Sequence, residues 1–287
     1  MTERCWHKLT LRAPPGAREA LAVLLVDWGA GGTVEEGDAL VAYFPPDRRE
    51  AIEARLTRYT TDLGAPIGWR WEDEPEEGWR DRWKTFYRPA VVSARLGVCP
   101  SWGEWPAGGP AVEVIRMDPG QAFGTGTHET TRLCLRLLDE LLAERPGSEV
   151  LDVGCGSGIL SIGAVLLGAR RAVALDIDPL AARAARENAR ANAVAGRVLV
   201  LQGDIRAVRG TFPLVAANIL YRVLTGLAPE IARRVAAGGR LILSGLLKEE
   251  LHSACRAYRA RGLREIDRRV EGEWGALVLS AGEGRAR

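Results

Sequence analysis

Four polar residues close four successive apolar runs in this 287-residue chain: Asp152 in LDVG, Asp176 in LDID, Asp204 in QGDI and Asn218 in ANIL. The first run leads into a glycine-rich loop, GCGSG, with Gly154, Gly156 and Gly158 in G-x-G-x-G spacing. A dinucleotide loop is spaced G-x-G-x-x-G, and here Ile159 takes the place of its last glycine. A carboxylate at Asp152, just before the loop, would repel a pyrophosphate. It suits a ligand with a cationic amino-acid end. Asp176, twenty-two residues after Gly154, is placed to accept hydrogen bonds from both hydroxyls of a ribose. Ile177 follows it among the cofactor residues, and Asp178 is a candidate N-cap for the next helix. Asp204 falls beside where an adenine ring would lie, although it also has the character of a loop cap. Acidic groups at three successive strand ends point to S-adenosyl-L-methionine as cofactor rather than NAD.

Asn218 ends the fourth strand, where the sulfonium methyl would sit. Methyl transfer needs an uncharged nucleophile in line with the leaving sulfur, and positioning supplies most of the rate. An amine must first lose a proton, because a free lysine has a pKa of ~10.4. An amide oxygen and a backbone carbonyl suit the N–H bonds of a neutral amine. Asn218 and the carbonyl of Ile219 are the candidate catalytic pair. The stretch Asn218-Ile219-Leu220-Tyr221 resembles the Asn-Pro-Pro-Tyr signature of enzymes that methylate adenine or glutamine nitrogen, with both prolines replaced. That departure favours a flexible alkylamine and leaves base or glutamine methylation as the alternative.

A second glycine-rich stretch, MDPGQAFGTGTHETT (Met117 to Thr131), contains no lysine and so lacks the spacing of a phosphate loop. It runs into a helix with Thr127 as candidate N-cap. Thr130 and Thr131 face the first turn, where hydroxyls and free N–H groups can bind the carboxylate of the methionine half. Phe123 is placed to close over the reacting centre and exclude water. His128 reads as a structural residue of the helix start, and Cys155 as a small residue in a tight loop rather than a reactive thiol.

The elements that must position these groups alternate from about Thr127 onward. Strands EVLDVG, RRAVALDID, RVLVLQGD, FPLVAANIL and GGRLILSGLL are separated by helices GILSIGAVLLGA, PLAARAARENARAN and VLTGLAPEIARRVA. A further helix, EELHSACRAYRARG, precedes a closing pair of strands. Continuous apolar strands between helices imply a mostly parallel sheet buried on both faces, with the closing hairpin as an antiparallel edge. The fold expected is α/β: a Rossmann-like seven-stranded domain preceded by a smaller α+β unit. That unit reads β-α-β-β-α-β, the ferredoxin-like pattern, over residues 1–73. It has no cluster of catalytic side chains, which favours recognition over chemistry. A helical linker over 74–90 carries Trp79, Trp83, Phe86 and Tyr87, and the second domain spans 91–287. Leading into it, residues 89–118 are expected to form a hairpin.

Bulk composition is globular, with 47% hydrophobic and 26% charged residues. A formal charge of +2 argues against a generic polyanion binder, and no direct sequence-specific contact with nucleic acid is expected. Five scattered cysteines without a Cys-x-x-Cys or Cys/His cluster suggest neither disulfides nor a metal. No apolar run approaches the ~20 residues of a membrane span, and the start has no secretory pattern, so a cytoplasmic location away from membranes is expected.

Taken together, DPGQAFGTGTHETTRLCL, LDVGCGSGILSIGA, ALDIDPLA and ANIL, with WRDRWKTFYRP and VCPSW before them, resemble the ribosomal protein L11 methyltransferase family. The resemblance covers roughly Trp79 to Ser280. It implies a class I methyltransferase using S-adenosyl-L-methionine, with cofactor contacts at Thr131, Gly154, Asp176 and Asn218. It further implies methylation of lysine side chains and the N-terminal amine of a large-subunit ribosomal protein, on the ribosome or an assembly intermediate. The small N-terminal domain would recognise the substrate through a mobile linker. Tyr221 departs from the small residue usual after NIL, which bears on the shape of the amine pocket. A non-catalytic ribosome-assembly factor with the same fold is the remaining alternative.

Overall fold

The computed structural model describes the chain except residues 1–4, 15–17, 19, 20, 23, 27, 31, 38, 46, 47, 64–66, 76–87, 111, 118–125, 127 and 283–287. The chain divides into two compact units, Met1–Phe86 and Tyr87–Arg287. The aromatic linker residues 79, 83, 86 and 87 lie outside the described residues. No described helix is long and apolar enough to cross a membrane.

The first unit holds β1 (Cys5–Arg12), β2 (Thr33–Glu36), β3 (Ala39–Phe44), α1 (Arg49–Leu63) and β4 (Gly68–Pro75), and the described residues between 18 and 26 are mostly helical. Its antiparallel sheet runs β2-β3-β1-β4. Alternation puts Leu9 and Leu11 inward from β1, and helical spacing puts Ile52 and Leu56 inward from α1, all at most 1% exposed.

In the second unit β5 (Ala90–Val91), β6 (Leu96–Pro100) and β7 (Glu113–Met117) form a small sheet. The hairpin expected over residues 89–118 is corrected: β5 and β6 are antiparallel, but β6 and β7 are parallel. A dozen residues are enough for a crossover instead of a turn. Trp105 in that crossover lies back over β6, and its ring fills the space where a side chain at Gly97 would stand.

The remaining elements are α2 (Glu129–Glu144), β8 (Glu149–Val153), α3 (Ile159–Leu166), β9 (Arg171–Asp176), α4 (Pro179–Ala191), β10 (Val198–Gln202), β11 (Phe212–Asn218), α5 (Tyr221–Gly226), α6 (Ala228–Ala232), β12 (Val235–Leu247), α7 (Leu251–Arg259), β13 (Leu263–Glu271) and β14 (Trp274–Ala281). The seven-stranded sheet runs β10-β9-β8-β11-β12-β14-β13, with β14 antiparallel to both neighbours. Alternate strand residues feed two cores. Val150, Leu214, Ala216 and Ile242 pack with α2, α3 and α4. Leu151, Val215, Ala217, Leu241 and Leu243 pack with α5, α6 and α7. Burial on both faces explains the continuous apolar runs.

The helix expected over 223–236 is two short helices, and Val235 and Ala236 already belong to β12. Pro229 has no N–H to bond back to the preceding turn and is tolerated only at a helix start, so one element becomes two around Leu227. In β13, Glu265 lies opposite Leu279 but Asp267 opposite Val278. The extra residue, Ile266, is a bulge that reverses which side chains face which helix layer.

Candidate functional site

The strand order reverses between β8 and β11, and ligands of such sheets bind at the strand ends beside that point. A cavity of about 830 Å³ opens there, a volume ordinary for a small-molecule site. It is lined by His128, Thr130 and Thr131 of α2, by Val153 to Gly156 after β8, and by Asp176, Ile177 and Asp178 after β9. Gly203, Asp204 and Ile205 follow β10, and Asn218, Ile219, Leu220, Val223 and Leu227 follow β11. Leu160, Gly245 and Trp274 also line it.

The glycine loop is pinned to the end of β9. Gly154 and Cys155 both donate their N–H to the carbonyl of Leu175, at 2.8 and 3.0 Å. Gly154 has φ +72°, and a Cβ on it would collide with Cγ2 of Ile219. Only glycine fits that approach, which ties the cofactor loop to the acceptor-side strand end. Gly158 is the N-cap of α3 with φ +81°.

Asp176 lines the cavity with both oxygens engaged by the backbone: Oδ2 accepts the N–H of Gly156 at 2.9 Å and Oδ1 that of Asp178 at 3.0 Å. A carboxylate oxygen carries two lone pairs, so each oxygen keeps one for a ribose hydroxyl. Asp178 caps α4, accepting the N–H of Leu180 at 2.8 Å. Ile177 is 75% exposed on the lining, an apolar surface next to the ribose position. Asp204 caps a short 3-10 turn over Ile205–Ala207 and pairs with the Arg206 guanidinium, so its carboxylate is already committed while it lines the cavity.

Asp152 is placed differently from the expectation. It is fully buried beneath the loop and is not part of the lining. Its Oδ2 accepts the N–H and hydroxyl of Ser161 in the first turn of α3, at 3.2 and 2.8 Å, while Oδ1 is buried without a partner among the described residues. The helix takes the carboxylate because its first-turn N–H groups have no partners within the helix. Burial pushes this carboxyl up to about 7 against the pull of Ser161, and the nearby Asp176 charge adds to the rise. The direct contact with a cationic ligand expected from the sequence is therefore replaced by support of the loop from below.

Thr130 and Thr131 are buried at the start of α2, and both line the cavity. The N-cap is His128, not Thr127, which lies outside the described residues, as does Phe123. Nδ1 of His128 accepts the N–H of Thr130 at 3.3 Å and lies 2.8 Å from its hydroxyl. The ring nitrogen is thus engaged with the first residue pair of the helix, which is the role of a cap. Burial holds the imidazole below its usual value, against the opposing pull of Glu129. Its ring stands edge-on to Trp274, with centroids 5.0 Å apart. Cys155 is buried, and burial pushes its thiol far above the ordinary range, as a packing residue requires.

Asn218 donates from Nδ2 to Oγ1 of Thr131 at 3.5 Å, and its Oδ1 is buried without a partner among the described residues. A buried amide oxygen left unpaired costs on the order of 1–3 kcal/mol, and such groups in native proteins call for an explanation. Ile219 follows on the lining, and its backbone lies against Gly245, where a Cβ would come 2.5 Å from the Ile219 carbonyl oxygen. Tyr221 is not on the lining and packs into the core under α5 and α7. The exposed neighbour Leu220, at 70%, lies on the lining instead. Val223, Leu227, Gly245 and Trp274 line the cavity although the sequence motifs do not single them out. The signal for Trp274 is the tight turn Glu271-Gly272-Glu273-Trp274, which must place a large aromatic at the strand-end side of the sheet.

Residues 6–281 match the family described as Ribosomal protein L11 methyltransferase. The chain belongs to the ribosomal protein L11 methyltransferase family. A relative of that name from Pelobacter propionicus is 44% identical over 310 residues, covering 97% of this chain and 98% of its own. Another from Pelotomaculum thermopropionicum is 40% identical over 306 residues, covering 95% and 98%. The crystal structure of ribosomal protein L11 methylase from Lactobacillus delbrueckii subsp. bulgaricus superposes with a TM-score of 0.63 at 33% identity, covering 69% of this chain and all of that one. The fold is that of a class I methyltransferase, and S-adenosyl-L-methionine is the methyl donor of this family. The site fits that donor: a carboxylate after β9 that keeps lone pairs for hydroxyl donors, a glycine loop closed against Ile219, and an amide at the end of β11 whose oxygen has no partner among the described residues.

Proposed function

We propose that this chain transfers methyl groups from S-adenosyl-L-methionine to amines of ribosomal protein L11, on lysine side chains and on the N-terminal amine. The observation that carries the reading is Asn218 on the cavity wall at the end of β11, with an amide oxygen that has no partner among the described residues. The donor supplies a methyl carbon activated by a positively charged sulfur. Asp176 and the glycine loop hold its nucleoside part, and Thr130 and Thr131 receive its amino-acid end at the start of α2. Ile177 and Asp204 flank the base. Asn218 Oδ1 accepts an N–H of the incoming amine, and the carbonyl of Ile219 accepts another. Both acceptors favour the amine over a carboxamide plane, because they orient two N–H bonds and leave the lone pair pointing at the donor. An acceptor pair without a strong base requires the amine to arrive neutral or to lose its proton on entry. The predominantly apolar walls from Leu220, Val223, Leu227 and Trp274 favour the uncharged form.

The N-terminal unit of residues 1–73 serves as the recognition domain in this reading, with 74–90 as its linker to the methyltransferase domain of 91–287. The reaction takes place in the cytoplasm, on free ribosomal protein or on an assembly intermediate of the large subunit. Incubation of the full chain with radiolabelled S-adenosyl-L-methionine, purified ribosomal protein L11 and deproteinised ribosomal RNA tests the proposal. Label on L11 amines by mass spectrometry supports it. Label confined to RNA or to glutamine side chains overturns it, and cofactor binding without labelling of any component marks a non-catalytic factor.

A further inference from the structure

The turn that delivers Trp274 to the cavity is held from the outside by a carboxylate the chemistry does not use. Glu271 ends β13 directly opposite Trp274, with Gly272 at φ +62° and Glu273 making the turn between them. Its Oε1 accepts from Nε of Arg132 at 2.9 Å, and its Oε2 from Nη1 of Arg136 at 2.8 Å. Arg136 also donates from Nε to the carbonyl of Val92 at 3.0 Å, which fixes the second guanidinium on its own side. Both arginines stand on α2, one turn apart. Arg132 directly follows Thr131 and donates its own N–H to the carbonyl of His128 at 3.0 Å. One carboxylate thus joins the hairpin tip to the helix turn that carries His128, Thr130 and Thr131. On the far side of the tip, Lys248 donates its N–H to the carbonyl of Glu273 at 2.9 Å, an attachment that does not involve α2.

We infer that Glu271 is a positioning residue for methyl transfer: by bridging Arg132 and Arg136 it sets the separation between the hairpin tip and the first turns of α2. That separation fixes Trp274 against His128 and Thr131 against Asn218, so it defines the acceptor end of the cavity. Glu271 touches neither cofactor nor acceptor. The bridge is only 26% exposed on the carboxylate and 27% on Arg132, so solvent screens it less than an ordinary surface pair. Without the carboxylate, Arg132 keeps its pair with Glu129 at 3.5 Å and Arg136 its bond to Val92, but neither of these contacts reaches the hairpin tip. The nucleoside end of the cofactor site does not depend on this clamp, because Asp176 and the glycine loop are held by β8, β9 and α4, whereas Thr130 and Thr131 ride on the clamped turn.

The inference rests on the acceptor binding beside Asn218, and the experiment separates the two readings. Glu271→Ala, Glu271→Gln and Asn218→Ala are compared with the unaltered chain for turnover, for S-adenosyl-L-methionine affinity by calorimetry, and for amide hydrogen exchange in the cofactor-free protein. For Glu271→Ala the expected result is a roughly tenfold or greater fall in kcat, with a clearly smaller loss of cofactor affinity, about threefold or less, since only its amino-acid end meets the loosened turn. Exchange is expected to quicken over residues 271–275 and 128–132 but not over β8 and β9. Glu271→Gln, which keeps the shape and one acceptor, should fall between. Turnover like the unaltered chain in both Glu271 variants, with loss in Asn218→Ala, overturns the clamp and leaves the acceptor site standing. Parallel loss of kcat and cofactor affinity, or exchange quickened throughout the sheet, also overturns it, since either marks a general stability role. If Glu271→Ala does not fold, Glu271→Gln alone carries the same comparison.

Discussion

Asp176 and Gly156 are joined by a hydrogen bond of 2.9 Å from the glycine N–H to the carboxylate, so the residue facing the ribose position also shapes the loop beside it. Two functions converge on one side chain, and its oxygens have lone pairs enough for both. Sequence position alone points only to the first.

Asp176→Ala removes both at once. Each charge-assisted hydrogen bond lost to a ribose hydroxyl is worth about 1.5–3 kcal/mol, so S-adenosyl-L-methionine affinity should fall at least tenfold by calorimetry. The N–H groups of Gly156 and Asp178 also lose their acceptor, and the melting temperature of the cofactor-free chain should drop. Unchanged melting with weakened binding would mean the loop holds its shape without this contact.

Asn218→Ala acts at the other end of the cavity. Its Nδ2 meets Thr131 at the 3.5 Å limit of a hydrogen bond, so little structure depends on it, and its Oδ1 has no partner to lose among the described residues. Turnover should therefore fall far more than cofactor affinity, by about a hundredfold if one of two acceptor hydrogen bonds in the transition state is worth ~3 kcal/mol. Equal losses in kcat and in cofactor affinity would make Asn218 a cofactor ligand only.

The order of strands, the cofactor loop and Asp176, Asp178 and Asn218 are legible in the sequence because they sit where a local pattern breaks: an apolar run ends on a polar residue, or a glycine run interrupts it. Asp152 shows the limit of that signal. Its place at a strand end is readable, but the backbone directs its carboxylate under the loop, to the first turn of α3, rather than into the cavity. Trp274 and Gly245 are not readable as lining residues, because only the pairing of β12 with β11 on one side and β14 on the other brings them to the cavity from far along the chain. His128 displaces Thr127 as cap because an imidazole nitrogen can accept a helix N–H as a hydroxyl does. Parallel pairing of β6 and β7 is not encoded in local alternation, which reads the same for a parallel or an antiparallel partner.

Asp152 gives the fold a pH signature. Burial raises its folded-state pKa to about 7, whereas in the unfolded chain an aspartate titrates near ~3.9. Between those values the folded state holds a proton that the unfolded state has released. Stability from this group is therefore fully present below about pH 4, declines as pH rises to about 7, and is flat above. Asp152→Asn keeps an acceptor for Ser161 and removes the titration. Thermal melts should show the variant more stable than the unaltered chain at pH 8, by on the order of 1–2 kcal/mol after allowing for relaxation of the buried charge, and with a smaller change between pH 6 and 8. Identical pH profiles for the two proteins would show that this carboxyl stays ionised in the folded state.

Gly154 and Ile219 offer the sharpest test of how the two halves of the site are joined. A Cβ at 154 would overlap Cγ2 of Ile219, yet the next nearest atom of that side chain is 3.7 Å away. Gly154→Ala should therefore lose stability from two separable sources. Left-handed backbone at φ +72° costs an alanine roughly 1–2 kcal/mol, and overpacking against a stiff β-branched side chain adds about 1–3 kcal/mol. Ile219→Ala removes the clashing methyl but not the backbone strain. In the double variant the denaturation midpoint should recover part of the Gly154→Ala loss, with a coupling of about 1 kcal/mol or more of the kind contacting residues show. Additive losses would mean that the loop moves away from β11 when crowded, and that the close packing of cofactor loop on acceptor strand is not what fixes the glycine.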